Sequence, residues 1–140
     1  MAYTHTQYQV QLTATGITAA SSGVVGNKWS PGFVPHVVRA FALVNTSTLA
    51  NVSSLVAVLE RRSHASATTA TAIATINGTA TGGAGVVFYK SGLNATIQPG
   101  EELQYHITTA ASVAALHQVC VWVEPKWEEP GNNSNMKATT

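Results

Sequence analysis

The chain contains no aspartate. That removes the commonest orienting carboxylate of a Ser-His-Asp arrangement and the commonest ligand of hard metal ions. Glutamate could substitute, but the six glutamates all sit where structure alone accounts for them. Glu60 ends an apolar stretch, Glu101 and Glu102 flank a turn, and Glu124, Glu128 and Glu129 fall at or beyond the end of the last patterned segment. Nothing in this spacing sets two carboxylates across one cleft, as glycoside hydrolysis requires.

Charge of either sign is scarce. Asp, Glu, Lys and Arg make up 9% of the chain, against about 25% in an average soluble domain. The polar surface must therefore be built from Thr, Ser, Asn and Gln, and a face of hydroxyls and amides can be covered by a partner without stripping water from ions. The formal net charge of +1 adds no self-repulsion against association. Seven Lys and Arg spread along the chain make no stripe of the kind that neutralises phosphates, so no nucleic-acid partner is expected. The nearest approach is Arg61-Arg62 with His64, and a solvated strand end accounts for it.

Cysteine is represented once, by Cys120, which excludes an internal disulfide and suits a small buried filler. No apolar run approaches the roughly 18–20 residues of a membrane span, and Met1-Ala2-Tyr3-Thr4-His5 lacks the basic-then-apolar layout of a secretion signal. Synthesis in the cytoplasm and no membrane partner are the expectations. Asn-X-Ser/Thr triplets begin at Asn45, Asn51, Asn77, Asn94 and Asn132; without a secretion signal they are by-products of composition.

What the chain has in quantity is period-two patterning. Tyr8, Val10 and Leu12 alternate with Gln7, Gln9, Gln11 and Thr13. From Val34 to Val44 both alternating sets are largely apolar, with Val38, Ala40, Ala42 and Val44 on one side and Val37, Phe41 and Leu43 on the other, which predicts a central strand covered on both faces. Val52 to Arg61 alternates Leu55, Ala57 and Leu59 with Val56, Val58 and Glu60. Leu49, Val52, Val56 and Leu59 also fit a helical spacing, and β-branched content favours the strand. Further strands are predicted near Ala70–Ile76, Val86–Tyr89 and Ala95–Ile97. Gln98-Pro99-Gly100-Glu101 presets a turn into Leu103, Tyr105 and Ile107, which face one way with Gln104 and His106 facing the other. Val119, Val121 and Val123 alternate with Cys120, Trp122 and Glu124 in the last strand.

Between these lie connections. Gly16 to Pro35 holds four glycines and two prolines and reads as a long connection carrying Trp29 and Phe33, of a length that usually has a function. Gly82, Gly83 and Gly85 mark a turn, and Thr108 to Leu116 reads as an Ala-rich crossover with room for one helical turn. About eight short strands without a convincing long helix predict an all-β single domain over residues 1–140, a β-sandwich of jelly-roll type. Its core is expected over about 7–124, with extended arms at Ala2–Thr6 and Pro125–Thr140.

No local signature of chemistry accompanies this pattern. His5, His36, His64, His106 and His117 include no i, i+4 pair on a helix and no Cys-X2-Cys companion, so no metal is expected. Convergence of His36, His106 and Glu60 from separate strands is the one arrangement that could assemble a site. No Gly-rich loop opens a helix, so no cofactor is expected and the chain reads as a non-enzyme. The candidate functional residues are instead apolar groups set in polar irregular segments, namely Trp29, Phe33, Pro125, Trp127 and Met136. Such groups anchor in a pocket of a partner subunit or fold back onto their own sandwich.

The stretch LVNTSTLANVSSLVAVLERR, the Thr/Ala run after it, then GVVFYKSGLNATIQPGEELQYHITTA and the closing VCVWVEP resemble small structural proteins of tailed phages, in particular capsid decoration (cement) proteins. The resemblance covers about Val34 to Pro125 and rests on strand-turn-strand style and the Pro-Gly-Glu turn. It implies a jelly-roll or related sandwich that forms a homotrimer, binds the major capsid protein on the virion exterior and clamps neighbouring capsomers without a cofactor. Tail and adaptor proteins share these cues. A receptor- or carbohydrate-binding sandwich of a tail or capsid fibre, with Trp29, Trp122 or Trp127 as sugar platforms, is the alternative.

Overall fold

The structure, a computed structural model, describes residues 6–12, 18–19, 23–24, 27–45, 54–79, 87–109, 115–126 and 139. Every regular element among them is a β-strand: β1 (Tyr8–Gln11), β2 (Thr18–Ala19), β3 (Gly23–Val24), β4 (His36–Asn45), β5 (Ser54–Arg62), β6 (Ala70–Thr79), β7 (Val87–Lys90), β8 (Ala95–Ile97), β9 (Glu102–Thr109) and β10 (Ala115–Pro125). One sheet, here sheet I, runs β1-β10-β4-β7, with β2 also on β10 and β8 also on β4. Sheet II runs β3-β9-β5-β6. All pairings are antiparallel.

The ten segments amount to eight strands. β1 and β2 follow one another along β10, and β7 and β8 follow one another along β4. The pairing is nested: β1/β2 with β10, β3 with β9, β4 with β7/β8, β5 with β6. The chain is thus a long ribbon folded back at the β5–β6 turn and then rolled, so that successive layers of the ribbon pair again through β10–β4 and β9–β5. That wrapping defines a jelly roll. The predicted all-β sandwich of about eight antiparallel strands is the fold observed.

The core fills the space between the sheets. Val38, Phe41 and Leu43 from β4 and Val119, Val121 and Val123 from β10 meet Ala57 and Leu59 from β5, Ala74 and Ile76 from β6, and Leu103, Tyr105 and Ile107 from β9. The alternation of Leu103, Tyr105 and Ile107 places three fully buried side chains on one face of β9, as their spacing predicts. Loss of hydration holds the Tyr105 phenol far above its usual range. The turn before β9 forms as its sequence dictates: Gly100 takes a φ of 89°, and the Glu101 amide donates to the Gln98 carbonyl.

Two bulges alter the expected phase. On β4 the register steps from Ala40↔Trp122 to Val38↔Val123, leaving Arg39 as an extra residue. Val38 therefore joins Phe41 and Leu43 in the core, and not Ala40 and Ala42 as strict alternation predicts. The spare residue turns its guanidinium sideways, where Nε meets Glu124 Oε2 at 2.9 Å and Nη1 donates to Asn94 Oδ1 at 2.8 Å. A second bulge steps the β5–β6 register from Leu59↔Ala74 to Glu60↔Ala72, so that Ile73 lies beside the core together with Ala74.

Other expectations are corrected. The segment Gly16–Pro35 is not a plain connection: β2 and β3 lie within it, and Trp29 bridges to Leu103. Strands of two residues are too short to show a period. The helical alternative at Leu49–Leu59 gives way to β5, with Ala57 and Leu59 inward; residues 49–53 lie outside the described residues. Strand β6 runs on to Thr79 and β9 to Thr109, so the crossover is shorter than its Ala-rich composition suggests. The turn at Gly82–Gly85 falls outside the described residues. Gln104, predicted to face opposite to Leu103, Tyr105 and Ile107, is itself buried, and its Nε2 donates to Glu60 Oε1 at 2.7 Å. Pro125, expected to open the C-terminal arm, is the last residue of β10 and pairs with His36.

Phe41 is wholly enclosed whereas Phe33 is 84% exposed. Replacing Phe41 by Ala should cost about 3–5 kcal/mol through lost burial and a cavity, while Phe33→Ala should change stability by no more than about 0.5 kcal/mol. Urea unfolding of the two variants, read by near-ultraviolet circular dichroism, measures the difference.

Candidate functional site

Three of the residues singled out as candidate anchors, Trp29, Phe33 and Pro125, lie at the end of the sandwich where β4 begins. Pro31-Gly32-Phe33-Val34 turns the chain into β4, and Gly32 adopts a φ of 73°, a conformation cheap only for glycine. The turn is pinned from three sides. The Trp29 amide donates to the Leu103 carbonyl at 3.0 Å and the Leu103 amide donates back at 2.8 Å, which ties the entry of the turn to sheet II. The Lys126 amide donates to the Pro35 carbonyl at 2.7 Å, which ties its exit to the end of β10. His36 supplies the third attachment.

The His36 ring is buried between two aromatic side chains. Its centroid lies 5.2 Å from Trp29 and 5.6 Å from Tyr8, both edge-on, a favoured geometry for such rings. Nδ1 is 2.7 Å from the Val34 carbonyl oxygen and Nε2 is 2.8 Å from the Tyr8 hydroxyl. A carbonyl oxygen can only accept, so Nδ1 carries the proton; in the neutral ring Nε2 accepts from Tyr8 O–H. Burial lowers the His36 pKa, an effect the Val34 contact partly offsets, and burial raises that of Tyr8. This triad, in which His36 is buried, Trp29 half-buried and Tyr8 exposed, holds the backbone on either side of Phe33, whose ring projects into solvent two residues from Pro35. Trp29, Phe33 and Pro125 thus occur together around His36. Trp127 and Met136 lie outside the described residues.

A second polar cluster belongs to β5, β9 and the turn before β9. Glu60 receives Gln104 on one oxygen and faces His106 Nδ1 at 3.3 Å with the other. Arg61 lies 3.5 Å from Glu101 Oε2 and donates to the Thr96 carbonyl at 3.0 Å. Arg62 lies 3.8 Å from Glu102 Oε2 and donates to the Ala67 carbonyl. Each arginine therefore has a carboxylate of its own, and the short basic run read in the sequence becomes a neutral network between strands. His106 and Glu60 do meet, but His36 is attached to Tyr8 and Val34 on the other sheet. Among the described residues no group of three His, Cys, Asp or Glu is arranged to hold a metal ion, and no helix is long and apolar enough to cross a membrane. Cys120 is buried and free, as its strand position suggests.

Sequence reasoning named Trp29, Phe33 and Pro125 but not the histidine that lies among them. His36 next to Pro35 at the start of an apolar run carried no local sign of a role. Its partners Tyr8 and Trp29 come from 28 and seven positions upstream.

The class that these observations define is a jelly-roll protein with a rigid aromatic-tipped end. No family model and no curated protein matches the chain. Among solved structures it is similar to the Eiger TNF of S. frugiperda, with a TM-score of 0.45 and 9% identity over 90% of this chain and 96% of that one. It is also similar to a chain of the infectious bursal disease virus Gx strain, with a TM-score of 0.30 and 16% identity over 86% of this chain and 30% of that one. The fold assignment stands on the strand order itself.

The His36 environment makes a pH dependence. Its pKa is lowered below the usual histidine value of about 6.5, so below about that pH the unfolded chain binds more protons than the folded one, and stability falls as pH drops through this window. Wild type and His36→Gln, unfolded in urea at about pH 7.5 and about pH 5, should differ less at the lower pH, because only wild type loses this contribution. A difference that stays constant with pH would show that His36 titrates as it does in the unfolded chain.

Proposed function

We propose that the chain is a structural virion protein that attaches to an assembled tailed-phage capsid and stabilises it, a decoration protein without catalytic chemistry, placed on the virion exterior. Fold alone does not specify this, since jelly rolls serve many roles. The observation that carries the reading is the pinned Phe33 turn. A large apolar side chain 84% exposed on a turn tied down by Trp29, His36 and Lys126 loses little freedom when it enters a pocket, and such pre-ordered aromatic anchors dominate binding energy. The low charge content supports the same reading, because a broad contact with capsid protein would desolvate few ions. The resemblance of the segments from Val34 to Pro125 to capsid decoration proteins adds the class of partner, the major capsid protein, and a trimeric assembly.

Stabilisation follows from linkage. A ligand that binds the assembled lattice and not its separated parts favours the lattice by about 2.7 kcal/mol per site at a hundredfold excess over its dissociation constant. The carbohydrate-binding alternative has less to support it. Of its described tryptophans, Trp29 packs against the core and is edge-on to His36, and Trp122 is half-buried, so neither stands free as Phe33 does.

The purified full chain should co-sediment with mature capsids of the phage that encodes it. Phe33→Ser should weaken that binding by roughly tenfold or more without altering the circular dichroism spectrum. Absence of co-sedimentation together with glycan-array binding would replace this reading with the carbohydrate one.

A further inference from the structure

We infer that the β4 bulge builds, on the side of sheet I away from the core, a binding site for a neutral saccharide. The inference stands apart from the capsid role, since it needs neither the Phe33 turn nor an assembled lattice.

The spare residue of the bulge is the centre of the site. Val123 fills the core, so its neighbour Glu124 faces away from it. The Arg39 guanidinium lies on that same side, where Nε meets Glu124 Oε2 at 2.9 Å and Nη1 donates to Asn94 Oδ1 at 2.8 Å. Asn94 belongs to the turn between β7 and β8. That turn is held against the bulge by the Leu93 amide, which donates to the Arg39 carbonyl at 3.1 Å, and its course is set by Gly92 at a φ of 70°.

Two hollows adjoin at the Arg39–Asn94 pair. The larger, about 530 Å³, has Ala40 and Leu93 as its apolar wall and Gln7 and Ser91 as further polar groups. The smaller, about 260 Å³, continues past Glu124 towards Lys126. The larger falls within the ~300–1,000 Å³ of small-molecule sites. It is also open: Gln7, Ser91 and Asn94 are exposed and the Arg39 side chain is 35% exposed, unlike Ala42 and Cys120 further along the same strands.

The chemistry of the site selects its ligand. A guanidinium carries five N–H groups, and the bonds to Glu124 and Asn94 use two of them. The same two bonds set Glu124 Oε1 and Asn94 Nδ2 on either side of the remaining donors, so donor and acceptor atoms stand in one fixed row. A pair of adjacent hydroxyls answers that row, because each hydroxyl both donates and accepts. An ion does not. Arg39 is the one charged residue on the larger hollow and Glu124 already neutralises it, so an anion would face Glu124 and a cation would face Arg39. An extended peptide also donates and accepts, but it docks on an unpaired strand edge, and β4 is paired here on both edges, with β10 and with β8. Ala40 and Leu93 give the C–H face of a sugar ring a small dry wall beside the polar row, the combination on which small-molecule sites are built. The bulge and the ion pair fix the row before any ligand arrives, which keeps the ordering cost of binding low.

Amide NMR titration of the full chain with methyl glucoside, methyl galactoside and methyl mannoside tests this, with glycerol as an acyclic polyol. At least one glycoside should shift the Arg39, Ala40 and Asn94 signals with a dissociation constant on the order of 1 mM, and glycerol should not. Arg39→Met and Asn94→Ala, both checked for native circular dichroism, should each weaken binding by roughly fivefold or more, and Phe33→Ser should leave it unchanged. No shift with any of the three glycosides, an equal response to glycerol, or wild-type affinity in both variants would overturn the inference. Binding lost with Phe33→Ser would overturn it as well, by locating the sugar at that turn. Capsid co-sedimentation is a separate measurement, so either reading can fail without the other.

Discussion

The ladder between β4 and β10 is the constraint on which the rest of the molecule depends. Nine cross-strand pairs run from His117↔Asn45 to Pro125↔His36, and they place the two longest apolar strands of sheet I side by side at its centre. β1, β2, β7 and β8 attach to the outer edges of this pair, so the sheet has no body without it. The inward residues of the same two strands form the floor on which sheet II is laid. The energetic centre of the fold is therefore a contact between positions eighty residues apart, such as Phe41 and Val121, and its loop-closure cost must be met by burial of the whole interior.

The same ladder organises the end of the sandwich on which the proposed function rests. Its lower end brings Pro35, His36, Pro125 and Lys126 together and thereby anchors the Phe33 turn. Its middle turns Ala40, Ala42, Cys120 and Trp122 to the side of sheet I away from the core, where Ala42 and Cys120 are nonetheless buried. The bulge at Arg39 separates these two regions. It shifts one guanidinium onto Glu124 and Asn94, so that the arginine of β4 is paired with a carboxylate of β10.

Much of this architecture was legible in the sequence, for a specific reason. Leu103-Tyr105-Ile107 and Val119-Val121-Val123 announce their strands because the residues that fill the core recur at every second position along each. The Gln-Pro-Gly-Glu turn was legible because its backbone needs those residues. What escaped was whatever depends on a distant partner. The face of Val38 is set by a bulge opposite β10, the burial of Gln104 by Glu60 on a neighbouring strand, and the neutrality of Arg61 and Arg62 by Glu101 and Glu102 some forty positions later. β2 and β3 escaped because two residues cannot display a period. His36 escaped because a buried histidine is recognised by Tyr8, Trp29 and Val34 around it and not by its flanking sequence.

The nested strand order also bears on how the chain reaches this state during synthesis. β4 emerges early, yet the strand that occupies its centre-side edge is the last of all, so sheet I stays open along a hydrophobic seam until β10 has left the ribosome. Among the described strands only β5 and β6 pair with a sequence neighbour, so only that hairpin can form locally. A topology so dominated by non-local pairing folds slowly, and during that interval Phe41 and Leu43 on β4 are accessible to other nascent chains. The scarcity of charge that favours a close-fitting assembly would offer little electrostatic protection against premature aggregation in that interval.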